Sequence, residues 1–150
     1  MITETRAIAL SIDGQPLSVP AGTTIWEAAR EAGIEIPALC HDPDLDPVGV
    51  CRLCVVDVGE RVLAASCVRE CSDGMEVQTA TETIEAHRRM LTRLLLSEHH
   101  SPCDREQASS DCQLESLGRR YRLLDAAPAP PDASGTEADP LRPRDDSSPV

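Results

Sequence analysis

Seven cysteines stand in the 150 residues of this chain, and four of them, Cys40, Cys51, Cys54 and Cys67, follow a C-x10-C-x2-C-x12-C spacing. Thiolates are soft ligands that suit iron–sulfur clusters or zinc, and four of them complete the coordination of a 2Fe–2S cluster. Cys51 and Cys54 bracket a turn, and the backbone of Gly49-Val50-Cys51-Arg52-Leu53 can aim amides at cluster sulfurs. Such hydrogen bonds tune a reduction potential. Three other chemistries compete. A four-cysteine zinc site normally carries two short C-x2–4-C knuckles, and here there is one. Disulfides belong to oxidising compartments, and the N-terminal MITETRAIALSIDG lacks the basic and apolar regions of a secretion signal. Buried structural thiols are common, but four within residues 40–67, around a glycine-containing loop, are poorly explained by packing alone. The spacing favours iron–sulfur chemistry.

Charge narrows the remaining classes. Acidic residues outnumber basic ones 26 to 14, every basic residue is arginine, and the formal net charge is −12. That balance repels phosphate backbones and anionic lipid, so nucleic-acid binding and direct membrane insertion are not expected. It favours steering toward a positively charged partner face. No stretch reaches the roughly 20 apolar residues of a membrane span. Seven cysteines without a secretion signal suggest a reducing, cytoplasmic setting, at most peripheral to a membrane complex.

These thiols need a scaffold, and aromatics cannot supply it, since only Trp26 and Tyr121 are present. The alternation of Ile8, Leu10 and Ile12 predicts a half-buried strand over 6–12, and Asp13-Gly14 suits a hairpin turn into a second strand at Leu17 to Val19. Thr23 or Thr24 caps a helix whose face is Ile25, Ala28 and Ala29, stopped by Gly33, with Trp26 filling the core beneath it. Residues 37–53, with Pro37, Pro43 and Pro47, read as a long irregular loop, a feature usually functional in a small domain. Strands are expected at Val55 to Val58, Arg61 to Ser66 and Met75 to Thr79. A helix follows from Thr81 to about His99, with Ile84, Leu91, Leu94 and Leu95 on its apolar stripe. Its arginines form a solvated face, with Glu85 paired to Arg89. A shorter helix is predicted from about Gln113 to Tyr121. Residues 126–150 hold six of the 12 prolines and no aliphatic pattern, so a linker or disordered tail is expected there, as at the front piece of something longer.

The run from Ile8 to Cys67, with VPAGTTIWEAA, IPALCHDPDLDPVGVCRLCVVDV and AASC, resembles the N-terminal ferredoxin domain of complex-I-type enzymes. That group includes the large iron–sulfur subunit of NADH:quinone oxidoreductase, NAD-dependent formate dehydrogenase alpha subunits and the diaphorase side of NAD-linked hydrogenases. The formate dehydrogenase branch looks nearest from ALCHDPDLDPVGVCRLCVV. The resemblance covers about residues 6–121. It implies an α+β, β-grasp fold with about five strands in a mixed sheet, followed by a helical His/Cys-containing extension and the tail. The expected boundaries are 1–80, 81–122 and 123–150. It also implies that Cys40, Cys51, Cys54 and Cys67 ligate one 2Fe–2S cluster. The implied work is one-electron relay between a flavin/NAD(H)-binding redox subunit and a further iron–sulfur or molybdopterin subunit. A cluster beside NADH would want a potential near the plant-type value of about −400 mV.

In the resembled family a His-x3-Cys-x2-Cys-x5-Cys motif holding a 4Fe–4S cluster follows the long helix. Here His99, Cys103 and Cys112 match its first, second and fourth positions, and Glu106 stands at the third. A carboxylate is a poor substitute for thiolate. Three outcomes are open: no cluster, a cluster completed by Glu106 or another group, or a three-ligand cluster with a labile iron. The resemblance thus implies a degenerate or non-standard second site. Cys71 matches no ligand position and is expected to be a free thiol. No glycine-rich phosphate loop is present, so NAD and flavin belong to a partner. The alternatives are the N-terminal fragment of a formate dehydrogenase alpha-type enzyme and a structural zinc-binding interaction module.

Overall fold

The computed structural model describes residues 6–124; the expectations for the Pro/Asp-rich tail lie outside the described residues. The chain enters through a hairpin, β1 (Ala7–Ile12) and β2 (Gln15–Pro20), paired antiparallel with Ile8 opposite Val19 and Leu10 opposite Leu17. Asp13 and Gly14 both take positive φ (50° and 81°), as the tight turn requires. The Asp13 carboxylate also accepts from the Thr79 N–H at 2.8 Å and from the Thr79 hydroxyl at 2.5 Å. That contact ties the turn to the end of β5 (Met75–Val77), which runs parallel to β1.

Helix α1 (Ile25–Glu31) crosses this layer. Thr24 caps it in a capping box with Glu27, and Ile25, Ala28 and Ala29 are buried, as their spacing predicts. Together with Ile8, Leu10, Ile12, Val19 and Val77 they form the aliphatic core. Five strands are present among the described residues, but they divide into a sheet ordered β2-β1-β5 and a separate antiparallel pair, β3 (Val55–Val56) with β4 (Ala64–Ala65). A single bridge between Asp57 and Gln78 links the two. The longer strands expected at 55–58 and 61–66 are cut to two residues each, because the chain between them turns outward and leaves Val62 exposed.

Three helices follow: α2 (Glu82–Ser97), capped by Thr81, then α3 (Asp104–Ser109) and α4 (Gln113–Arg120). None of them, nor α1, is long and apolar enough to cross a membrane. α3 has no apolar pattern and no buried residue, which is why the sequence shows no separate element there. The stripe of α2 also differs from expectation. Ile84, Arg88 and Thr92 face inward, whereas Leu94 and Leu95 are exposed. The reason is α4, which packs on α2 and takes Leu91 against Leu117 and Tyr121 and Leu96 against Gly118. Leu94 and Leu95 stand outside that contact. A Cβ at Gly118 would lie 2.8 Å from Leu124 Cγ and 2.9 Å from Leu96 Cδ1, so a side chain there must push both leucines aside. Gly118→Val is expected to lower stability by about 1–3 kcal/mol by overpacking. Denaturant unfolding followed by helical circular dichroism checks this, and an unchanged midpoint contradicts it.

Candidate metal centre

The four spaced cysteines converge. Cys40 ends a segment that lies against α1: Trp26 Nε1 donates to the Ile36 carbonyl at 3.0 Å, and its ring meets the His41 ring edge-on with centroids 4.1 Å apart. Trp26 is thus half-buried, packed against the core as its size suggests and also reaching the ligand loop. Residues 42–50 contain no helix or strand, as their prolines predict. Gly49 (φ +63°) and Arg52 (φ +57°) bend the backbone into the C-x2-C turn. A side chain at Gly49 would press on Val68 at 3.3 Å in addition to straining that φ.

Within the turn, the Cys51 N–H donates to Cys40 Sγ at 3.3 Å, and Cys54 and Cys67 bring their Sγ atoms within 3.4 Å. Two pairs of thiols, one half-buried and one buried, thus line one loop. Ser66, fully buried between β4 and Cys67, holds the two halves together: its hydroxyl donates to the Cys54 carbonyl at 2.7 Å and its N–H at 3.2 Å. Burial opposes ionisation of Cys51, but backbone hydrogen bonds from Leu39, Leu53 and Cys40 outweigh it and hold this thiol below its ordinary value. Cys67 shifts the other way, pushed up first by burial and then by the Cys54 thiol. Four sulfurs at this spacing, with an amide already directed at one of them, can hold a 2Fe–2S cluster. Cys71 is buried in the aliphatic core, raised by burial and then by the Glu27 charge, and its N–H bonds the Thr23 carbonyl at 2.9 Å.

One residue that holds this loop is invisible to pattern reasoning. Arg88, 1% exposed, sends its guanidinium from α2 to the carbonyls on both sides of Cys54, with Nε to Leu53 O and Nη2 to Val55 O at 2.9 Å each. Nη1 pairs with Glu85 at 3.3 Å, so the expected Glu85–Arg89 pair is replaced by one turned inward. An arginine in register with Ile84 and Thr92 is the only sequence signal, and it is a weak one.

The second motif is also brought together, with a change of membership. His99 lies just past α2, Cys103 caps α3, and Cys112 stands at the N-cap position of α4. Glu106 is turned aside: its carboxylate accepts from the Cys112 N–H at 3.0 Å and pairs with Arg119 at 2.9 Å. Glu115, from the first turn of α4, takes the vacated place and accepts from the Cys103 N–H at 2.7 Å, with His99 Nε2 at 3.2 Å. The Cys103 amide, against the cost of desolvation, holds the Glu115 carboxyl below its ordinary value. The amide of Glu106 pulls the Cys103 thiol down, but desolvation and the neighbouring Cys112 and Glu115 win and leave it raised. Glu115 follows Cys112 by three residues on a helix, a spacing that shares one face and could have revealed it.

Comparison with known proteins places the family and its cofactor. Residues 5–82 match the family described as a 2Fe-2S iron-sulfur cluster binding domain. The chain belongs to that 2Fe–2S domain family. Among relatives, an NADH-quinone oxidoreductase subunit of Streptomyces coelicolor is 41% identical over 79% of this chain and 14% of its own length. The gamma chain of the NAD-reducing hydrogenase HoxS of Cupriavidus necator is 34% identical over 79% of this chain and 50% of its own. A solved NAD+-reducing [NiFe]-hydrogenase in the H2-reduced state superposes with a TM-score of 0.68 at 34% identity, covering 77% of this chain and 49% of that one. The chain therefore spans half or less of these relatives. Its cofactor is a 2Fe–2S cluster, and the resemblance to complex-I-type subunits holds.

Arg88→Leu leaves the Leu53 and Val55 carbonyls buried without partners, at a cost of about 1–3 kcal/mol each. The expected outcome is a lower Tm and faster bleaching of the iron–sulfur chromophore under chelator, without rescue by Arg88→Lys, whose single ammonium lacks the fork. Bleaching at the parent rate contradicts the assignment.

Proposed function

We propose that this 2Fe–2S domain is a one-electron carrier whose cluster is held by Cys40, Cys51, Cys54 and Cys67. In this reading it relays electrons between a flavin/NAD(H)-bearing redox subunit and further redox centres of a hydrogenase- or complex-I-like assembly. The observation that carries the reading is that the four thiols come together as two contacting pairs about one loop, Cys40 with Cys51 half-buried and Cys54 with Cys67 buried behind them. When bound, the cluster supplies reversible storage of a single electron. The protein's residues do the rest. The Cys51 amide turned toward Cys40 Sγ favours negative charge on sulfur, and Ser66 and Arg88 fix the two carbonyl-lined sides of the turn.

Access for a partner is supported by the loop's outer side, where Leu45, Val48 and Val50 are exposed and Val68 lies against Gly49. A loop that carries these apolar side chains together with exposed Asp44 and Asp46 suits a partner face with apolar and basic character, in keeping with the net charge of −12. The relatives are named as NADH-quinone oxidoreductase and hydrogenase subunits, which supports those assemblies above the formate dehydrogenase type suggested by the ALCHDPDLDPVGVCRLCVV run. All seven cysteines are unpaired, which supports a reducing, cytoplasmic setting. We place the carrier domain at 1–80 and the helical extension at 81–122.

Cys51→Ala is expected to abolish the visible absorption and the EPR signal of the reduced protein, whereas Cys71→Ala leaves both intact. The reverse pattern overturns the ligand assignment.

A further inference from the structure

We propose that His99, Cys103, Cys112 and Glu115 form a closed site for one zinc ion, standing where the resembled motif would place a second iron–sulfur cluster. The ligand atoms of these four residues all lie within 4.8 Å of one another. Donors sharing one tetrahedral ion at about 2.0–2.3 Å stand roughly 3.3–3.8 Å apart. Two edges are already close to that length, His99 Nε2 to Glu115 Oε1 at 3.2 Å and His99 Nε2 to Cys112 Sγ at 3.7 Å. A cubane distributes its ligands over four separate irons at alternate corners of a cube, which sets the donors wider apart than a shared ion does. The donor chemistry agrees. Two sulfurs, one imidazole and one carboxylate suit zinc, whereas a 4Fe–4S cluster wants thiolate at most positions.

Position 106 points the same way. With cysteine there, α3 would offer a third sulfur. Glu106 is instead engaged by the Cys112 N–H and by Arg119 and does not enter the group. It holds Cys112 in place from outside, as groups around metal ligands do. Two thiolates and one carboxylate around a divalent ion leave one net negative charge. Arg119, 2.9 Å from Glu106 and 3.9 Å from Glu115, neutralises the additional Glu106 carboxylate and keeps the total at one negative charge.

The architecture needs such a tie. The site joins the end of α2, the start of α3 and the start of α4, and α3 buries no side chain of its own. Four protein ligands leave no open position, so the ion is structural and fixes the extension without carrying an electron. The second redox station of the resembled motif is thereby converted into a staple. This inference stands on residues outside the first centre and does not depend on the electron-carrier reading.

The 150-residue chain, produced anaerobically with iron and zinc both supplied, is expected to contain about two irons, two sulfides and one zinc per chain. Zinc-edge X-ray absorption is expected to show two sulfur and two nitrogen or oxygen neighbours. Glu115→Ala is expected to lose its zinc to a chelator concentration that the parent withstands, whereas His100→Ala, at an exposed position beside the site, keeps it. Intact 2Fe–2S absorption in each variant shows that the domain is folded, and the absorption measurement on the parent stands if a variant does not fold. About six irons with matching sulfide, zinc bound by four sulfurs, or no zinc after titration with zinc sulfate overturns the proposal.

Discussion

A buried guanidinium has to be paid for with hydrogen bonds, and Arg88 finds them at the one place where the first metal centre most needs support. Its two bonds fall on the carbonyls either side of Cys54, and Glu85 neutralises the outward edge of the group. Removing an ion from water costs several kcal/mol unless such partners are present. α2 is therefore not free to pack elsewhere. The constraint runs both ways: the helix is anchored by the ligand turn, and the ligand turn is closed by the helix. Arg88 lies beyond the residues 5–82 that match the 2Fe–2S domain family, so the carrier domain borrows part of its rigidity from the extension. A second, small apolar cluster of Leu53, Leu117 and Tyr121, joined by Leu39 and Leu91, makes the same junction on the other side of the turn.

The two centres are built on different plans. In the first, the sulfurs come from irregular chain, where positive φ at Gly49 and Arg52 turns the backbone toward them, and a buried serine spans the strands behind. Such a loop combines fixed geometry with an exposed outer side, which electron exchange requires. In the second, the donors sit at helix ends, where the Cys103 sulfur also caps α3 and Cys112 stands at the N-cap position of α4 with its sulfur free of a cap bond. Loss of one thiolate at position 106 need not dismantle that arrangement, because Glu115 already lies on the inner face of α4. Once the donor set changes from sulfur-rich to mixed, the chemistry shifts from cluster assembly to binding of a single ion.

Local signals are legible in the residues. The hairpin at Asp13-Gly14, the Thr24 and Thr81 caps and the face of α1 each depend on neighbours a few positions away, and the structure contains them. Distant contacts set what the residues hide. Periodicity identifies an apolar stripe on α2 but not its partner, so Leu94 and Leu95 emerge on the surface while Arg88 goes inside. The strands at 55–58 and 61–66 are shortened where the chain between them turns outward at Val62, which β propensity does not encode. Glu106 is visibly the wrong ligand, but the identity of its replacement requires knowing how α3 and α4 fold back on each other. Trp26 is legible as buried bulk, not as the donor that pins Ile36.

A chain with one cluster and one redox-inert ion holds a single one-electron centre. The most direct test is a coulometric reductive titration of the 150-residue chain under anaerobic conditions, with EPR recorded at each step. Uptake of one electron per chain is expected, growing a single rhombic signal that saturates at one spin. Uptake of a second electron with a second signal, or of none, would contradict it.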